Sequence, residues 1–104
     1  MKILVSGFEA FHKNDENPSQ EVVRLLPETL KGHTIIPLEL PVRYDLCFEL
    51  LRVVLVTEKP DVIINLGLAQ GRQQITPERI AINLDDASIP DNNGTLRQGA
   101  KIEL

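Results

Sequence analysis

One cysteine, Cys47, is too few for an intrachain disulfide, so this chain must hold itself together by packing. A lone thiol also suits a reducing compartment. The chain lacks any basic cluster: its 11 Lys and Arg are scattered singly against 15 Asp and Glu, giving a formal charge of -4. That argues against nucleic acid or an anionic membrane surface as partner. No apolar run is long enough to span a bilayer, and Met1–Val5 is too short for a secretion signal, so the expected compartment is cytoplasmic. No G-x-G-x-x-G, calcium-loop or His/Cys metal pattern occurs. Asp85, Asp86 and Asp91 therefore read as turn and cap residues rather than metal ligands, and no metal or cofactor is expected. Repeats and low-complexity tracts are absent too. What is present, 42 % apolar and 25 % charged residues in 104, is the composition of one small globular domain spanning 1–104, with a modest core.

Lys2 to Ser6 is a continuous apolar run ended by Gly7, the pattern of a strand covered on both faces. A polar loop through Lys13, Asn14, Asp15 and Glu16 follows. Asn17-Pro18-Ser19-Gln20 predicts a helix start, with Asn17 as cap, Pro18 at the first helical position and Gln20 reaching back as in a capping box. Val22, Val23, Leu25 and Leu26 form the expected buried stripe, bounded by Pro27 and Gly32. Thr34 to Leu40 reads as an edge strand, because Pro37 cannot donate to a ladder. A second helix is expected over about Tyr44 to Glu58, capped by Asp45, with Leu46, Cys47, Leu50, Leu51, Val54 and Leu55 on its packed side. Lys59-Pro60 ends it, and Val62 to Leu66 is a second strand with the apolar character of burial on both faces. The β-α-β-α-β order predicts a mostly parallel sheet with right-handed crossovers and a ligand site beyond the carboxyl ends of the strands. From Ile75 to Leu84, Ile80, Ile82 and Leu84 alternate with Ala81 and Asn83, predicting a half-buried strand at the sheet margin. Ile89 to Gly94 is a turn cluster.

Phe8 and Phe11, two of only three phenylalanines, either line a small apolar pocket at the sheet's edge or belong to the core. Asn17 is explained by capping alone, while its amide is also within the chemistry of a ligand contact. On a strand Glu78 shares the face of Ile80 and Ile82, where a carboxylate is costly unless paired, so it should meet a donor such as a histidine. A solvated glutamate at a strand end is the plainer reading. Arg72 either fixes a carboxylate or faces solvent. Cys47 falls on the packed stripe and reads as a structural thiol. His12 in a polar loop and His33 beside a turn glycine have no local reason to face it.

Two segments carry a resemblance: Ser6 to Ser19, SGFEAFHKNDENPS, and Gly67 to Asn92, GLAQGRQQITPERIAINLDDASIPDN. Together they resemble the pyroglutamyl peptidases (pyrrolidone-carboxylate peptidases), cysteine peptidases that remove an N-terminal pyroglutamate. The resemblance covers nearly the whole chain and weakens after Gly94. It implies a three-layer α/β sandwich around a mostly parallel sheet, present here as its N-terminal half. Glu78 then corresponds to the acid member of a Cys-His-Glu triad. Phe8, Phe11 and Asn17 match positions that hold the pyroglutamyl ring, with the loop carrying Leu68 and Gly71, and the Ile89 segment, closing the pocket. Three departures stand out. Ala10 and His12 replace a proline and a glycine of the first motif. Gln70 stands at the first glycine of a Gly-Gly-Arg loop, where it would narrow the pocket or strain the backbone. The family's cysteine and histidine motifs lie further along a longer chain, and Cys47, His12 and His33 do not match them.

The resemblance implies thiolate attack on the pyroglutamyl carbonyl without a cofactor, this chain contributing Glu78 and most of the pocket while being inactive alone. N-terminal pyroglutamyl peptides are the implied ligands. The reading from a different class is a non-catalytic domain that binds pyroglutamyl peptides or self-associates into a homo-oligomer through uncovered apolar surface.

Overall fold

The computed structural model describes residues 1–11 and 16–103. His12 and the loop residues Lys13, Asn14 and Asp15 lie outside the described residues, as does Leu104. Along the chain run β1 (Lys2–Phe8), α1 (Pro18–Leu25), β2 (Thr29–Leu30), β3 (His33–Leu40), α2 (Cys47–Glu58) and β4 (Val62–Asn65). They form a sheet of order β2-β3-β1-β4, in which β1 pairs in parallel with both β3 and β4 and only the two-residue β2 runs antiparallel. This is the expected α/β architecture with a mostly parallel sheet.

The pleat assigns the two faces. Ile3, Val5 and Gly7 of β1 align with Ile35, Pro37 and Glu39 of β3. Val5 and Ile35 join Val23 of α1 in a buried cluster flanked by Ile3, Leu26 and Leu66, so α1 covers this face. The alternate residues Leu4 and Ser6 are fully buried on the other face. There Phe8 meets Cys47 and Phe48 of α2 across a cavity. One helix on each face is what right-handed crossovers running in opposite directions along the sheet, β1 to β3 and then β3 to β4, require.

Local chemistry explains where the elements stop. Asn17 caps α1 by accepting the Ser19 N–H at 3.0 Å, with Pro18 at the first helical position. Lys31 and Gly32 both have positive φ, 50° and 81°, the backbone of a two-residue turn that folds β2 onto β3. Pro37 sits where it removes a donor from the outer side of β3. The Thr34 N–H points to the carbonyl of Met1 beside β1, and that of Ile35 points outward to Glu28, so residue 37 faces outward as well.

Several sequence expectations are corrected. β3 is not the outermost strand, since β2 covers its start. β4 is not covered on both faces: Ile63 and Ile64 are each 45 % exposed, because neither helix packs on it. The stretch 75–84 forms no strand; it is exposed throughout, with Ile80 at 80 %, because no neighbouring strand offers it a ladder among the described residues. In α1 the buried positions are Ser19 and Val23 with Leu26 behind them, whereas Val22 and Leu25 face solvent. Gln20 donates to the Glu39 carboxylate instead of closing a capping box. α2 begins at Cys47, not Tyr44, and Asp45 does not cap it, its carboxylate being taken by Arg43 at 2.6 Å. Leu46 and Leu50 leave the expected stripe, which reduces to Cys47, Leu51, Val54 and Leu55, all only half-buried.

The molecule is loosely built. Its radius of gyration is 14.5 Å, against about 13 Å for a compact domain of this length. Its accessible surface is 8016 Å², about 2,100 Å² more than a folded monomer of its mass exposes.

Candidate functional site

β1 and β3 end side by side, and the segments that leave them are stitched together by side chains. The Glu9 N–H bonds the Leu40 carbonyl at 2.9 Å, and the Glu9 carboxylate accepts the Val42 N–H at 3.1 Å. Asn17 donates to the Glu9 carbonyl at 3.2 Å, which ties the cap of α1 to the same loop. The Phe8 N–H bonds the Ser19 hydroxyl at 2.9 Å. Phe8 is thus fixed from both sides of the β1–α1 turn.

Onto this platform folds the segment from Asp85 to Ala100, an irregular hairpin closed by paired backbone bonds of 2.7 and 3.0 Å between those two residues. Asp91 at its tip is buried and accepts the N–H groups of Tyr44, Asn93 and Thr95 at 2.8 to 2.9 Å. Burial alone pushes its carboxyl up, but these three donors and the nearby Arg43 outweigh it and hold the group below the usual carboxylate range. The Asn92 N–H bonds the Val42 carbonyl at 2.9 Å, and its side-chain amide donates to the Ala10 carbonyl at 2.9 Å and to the Glu9 carboxylate at 3.3 Å. Asp86 accepts the Gly99 N–H at 3.1 Å. Asp86 and Asp91 thus have the turn roles expected of them, whereas the Asp85 carboxylate pairs with Arg97.

Between platform and hairpin lies a cavity of about 450 Å³ beyond the carboxyl ends of β1 and β3. Phe8, Phe11, Phe48, Val42, Ile89 and Pro90 are among the residues of its apolar wall. On its polar side Arg97 lies 4.8 Å from the centre of the Tyr44 ring and bonds Asp85 at 2.9 Å. Burial, and then the Asp85 and Asp91 charges, push the Tyr44 hydroxyl up. Cys47 is half-buried on the same wall, its thiol pushed up by burial and then by Asp85, so at neutral pH it is a protonated packing group. His33 opens β3 and meets the Met1 amino group at 3.0 Å.

Of the residues singled out from the sequence, Phe8, Phe11 and Ile89 come together around this cavity. Asn17 is the buried cap of α1, and neither it, Leu68, Gly71 nor Glu78 is among the cavity's described lining residues. Gly71 carries the positive φ of its turn, 85°, and Gln70 does not, so the residue at the first loop glycine is unstrained. Glu78 stands 75 % exposed in open loop, and its partner is Arg72, at 2.9 Å, with the Thr76 hydroxyl accepting from the same guanidinium nitrogen at 3.0 Å. The donor is an arginine rather than a histidine. Sequence reading missed Tyr44, Arg97 and the wall position of Cys47. The Pro-Asp-Asn-Asn-Gly run signals the Asp91 turn, but nothing local signals the Arg97–Tyr44 stack.

No described helix is long and apolar enough to cross a membrane. Among the described residues no group of three or more His, Cys, Asp or Glu is placed to hold a metal ion.

The family model for pyroglutamyl peptidase matches residues 1–104. The pyrrolidone-carboxylate peptidase of Levilactobacillus brevis is 49 % identical over 94 residues, which is 90 % of this chain and 46 % of that protein. That of Finegoldia magna is 48 % identical over 94 residues, 44 % of its length. Pyroglutamyl peptidase I of Bacillus amyloliquefaciens superposes with a TM-score of 0.92 at 40 % identity, over 99 % of this chain and 50 % of its own. The pyrrolidone carboxyl peptidase of Thermococcus litoralis gives 0.93 at 37 %, over 98 % and 47 %. The chain spans about half the length of these relatives, and it belongs to the pyroglutamyl peptidase family.

Proposed function

We propose that this family member supplies the lactam pocket and the acid residue of a pyroglutamyl peptidase, and that alone it binds N-terminal pyroglutamyl peptides without cleaving them. The observation that carries the reading is the apolar cavity between Phe8, Phe11 and Ile89, built entirely from this chain. A flat lactam slides between aromatic and aliphatic walls at little desolvation cost, and the rim's backbone groups and Tyr44 give its polar edge partners. In the complete site a cysteine thiolate attacks the pyroglutamyl carbonyl, the peptide amine leaves with a proton from the histidine, and water hydrolyses the acyl-cysteine. Glu78 orients that histidine: Arg72 holds Oε1, and an imidazole N–H bonds the other oxygen. The chain holds no cysteine and histidine in the corresponding motifs, so it has nothing for Glu78 to orient. The family's use of a thiolate and the chain's lone cysteine suit a cytoplasmic setting.

The test is a titration of isotope-labelled chain with a pyroglutamyl dipeptide amide and with its prolyl counterpart, which lacks the lactam carbonyl. Saturable shifts at Phe8, Phe11 and Ile89 with the first ligand are expected, weakened in Phe8→Ala. No saturation, or an equal response to the prolyl peptide, overturns the pocket assignment. On a pyroglutamyl arylamide the chain alone should give the background rate. With the second half of a relative's chain added, turnover should appear and fall about a hundredfold or more in Glu78→Gln, and far less in Asp86→Asn. Turnover by the chain alone, abolished in Cys47→Ser, would refute the catalytic reading.

A further inference from the structure

The Asp91 turn that clips the 85–100 hairpin onto the platform carries a reactive dipeptide at its tip, Asn93-Gly94. An asparagine ahead of glycine is chemically labile, because the next residue's backbone nitrogen closes a five-membered ring on the side-chain amide carbon and glycine has no β-carbon to crowd that approach. The described asparagines differ in whether the fold permits this. Asn17 precedes Pro18, whose nitrogen carries no hydrogen. Asn65 accepts the Ser6 hydroxyl at 2.7 Å, Asn83 is bonded to Ile102 and Glu103, and the Asn92 amide is held by Ala10 and Glu9. These three also precede Leu66, Leu84 and Asn93, whose side chains crowd the ring. Asn93 alone among the described residues joins an exposed side-chain amide, bonded to none of them, to a glycine neighbour. Gly94 has φ 79° and open space where a β-carbon would stand.

We propose that Asn93 is a modification site, whose spontaneous conversion to isoaspartate releases the hairpin from the platform. Hydroxide removes the Gly94 N–H proton, the nitrogen attacks Asn93 Cγ, and the adduct expels ammonia, the departing nitrogen taking a proton from water. Water then opens the succinimide. Attack at Cγ gives aspartate; attack at the main-chain carbonyl gives isoaspartate, whose backbone runs through the β-carbon and is one atom longer. One water is consumed, one ammonia is released and one carboxylate is gained. The Gly94 N–H is tied to the Asp91 carbonyl at 3.1 Å, so the reaction starts from the opened turn and is slower than in an unstructured chain. Asp91 is what gives the change its reach. Its buried Oδ1 takes the N–H groups of both Asn93 and Thr95 at 2.9 Å, and its own N–H bonds the Thr95 carbonyl at 2.9 Å. An extra chain atom between residues 93 and 95 puts those two N–H groups out of register, and a new carboxylate beside Asp91 adds like-charge repulsion. A buried carboxylate stripped of its donors moves toward water and gives up the Tyr44 N–H held by its other oxygen. Ile89 and Pro90, on the same hairpin, then leave the cavity wall.

The experiment incubates the full 104-residue chain at mildly alkaline pH beside a synthetic peptide of residues 88–98, and follows both by peptide mapping and by enzymatic methylation of isoaspartate. Expected is the amide-to-acid mass gain at Asn93, slower than in the peptide and absent from Asn93→Gln, whose longer side chain would need a six-membered ring. The isoaspartyl form, separated by its added charge on ion exchange, should exchange its Tyr44 and Thr95 amides about tenfold faster than the parent, since both hydrogen bonds to Asp91 are lost. Asn93→Asp, with the same charge on a normal backbone, should change them far less. An intact Asn93 after the peptide has fully converted, equal conversion at Asn83 or Asn92, or an isoaspartyl chain with parental protection at Tyr44 and Thr95 would each overturn the proposal. Loss of pyroglutamyl-peptide binding in the isoaspartyl form rests on the proposed function and is read separately. If that form binds the peptide as the parent does while its Tyr44 and Thr95 amides exchange faster, the pocket assignment fails and the modification site stands.

Discussion

Gly7→Ala is the substitution whose effect the coordinates predict most sharply. A β-carbon on residue 7 would lie 2.7 Å from the carbonyl carbon of Ser19 and 2.9 Å from Val23 Cγ2, with the Ser19 carbonyl oxygen closer still. Two of those three atoms are backbone, so no rotamer change relieves the clash and α1 must move off β1. Overpacking of this kind costs roughly 1–3 kcal/mol, and the backbone contacts put it at the upper end. Shifting α1 also breaks the Phe8 N–H bond to the Ser19 hydroxyl, worth about 1 kcal/mol. The alanine's lower unfolded-state entropy offsets about 0.5 kcal/mol. The net loss of about 3 kcal/mol is a large share of the ~5–15 kcal/mol typical of a domain, in a chain whose buried apolar residues are Leu4, Val5, Val23, Ile35 and Leu40. With a urea slope of about 1.5 kcal/mol/M, the unfolding midpoint followed by circular dichroism should fall by about 2 M. Gly67→Ala, where the added carbon meets open space, is the control and should move it little. A Gly7→Ala midpoint equal to that of the Gly67→Ala chain would refute the argument. Because Phe8 is anchored through the same hydroxyl, peptide binding should fail along with stability.

Asp91 provides a pH-dependent counterpart. Its carboxyl is held below its unfolded value, so its stabilisation is complete above the ordinary carboxylate range near pH 4 and is lost as pH falls through the folded value. Asp91→Asn should therefore lower the thermal midpoint at pH 7 and approach the parent at pH 3, and a difference that persists unchanged in acid would contradict the assignment. For Cys47, the raised thiol pKa predicts slow alkylation by iodoacetamide at pH 7 that accelerates steadily toward pH 10. Rapid labelling of the folded chain at neutral pH would show a thiolate and remove Cys47 from the packing role.

The sequence made the parts with strong local signals legible. Pro18 after Asn17, the Lys59-Pro60 stop and the apolar runs at Lys2 and Val62 mark α1, α2, β1 and β4 because each depends on chain-local sterics or on a simple pattern. Phe8 and Phe11 were also findable, since one ends the first strand and the other lies on the loop after it, where such folds gather their ligands, whereas Ile89 was legible only through the family resemblance. The failures share a physical cause. Alternation at Ile80, Ile82 and Leu84 announces a strand, but a strand exists only against a neighbour, and no neighbour is present among the described residues. The same holds for β4, whose apolar residues are written for two covered faces and lie bare. Arg97 and Tyr44 meet only through tertiary folding of the 85–100 hairpin, which leaves no periodic trace.

The β2–β3 turn bears on how such a chain fails as well as how it folds. One margin of the sheet is terminated by a two-residue strand and by Pro37, whose missing N–H leaves a gap in the outward donor row, while the other margin is β4. Among the described residues a sheet of this kind offers one unblunted margin, so edge-to-edge pairing of two copies at β4 would bury that margin in both and leave only blunted edges at the ends.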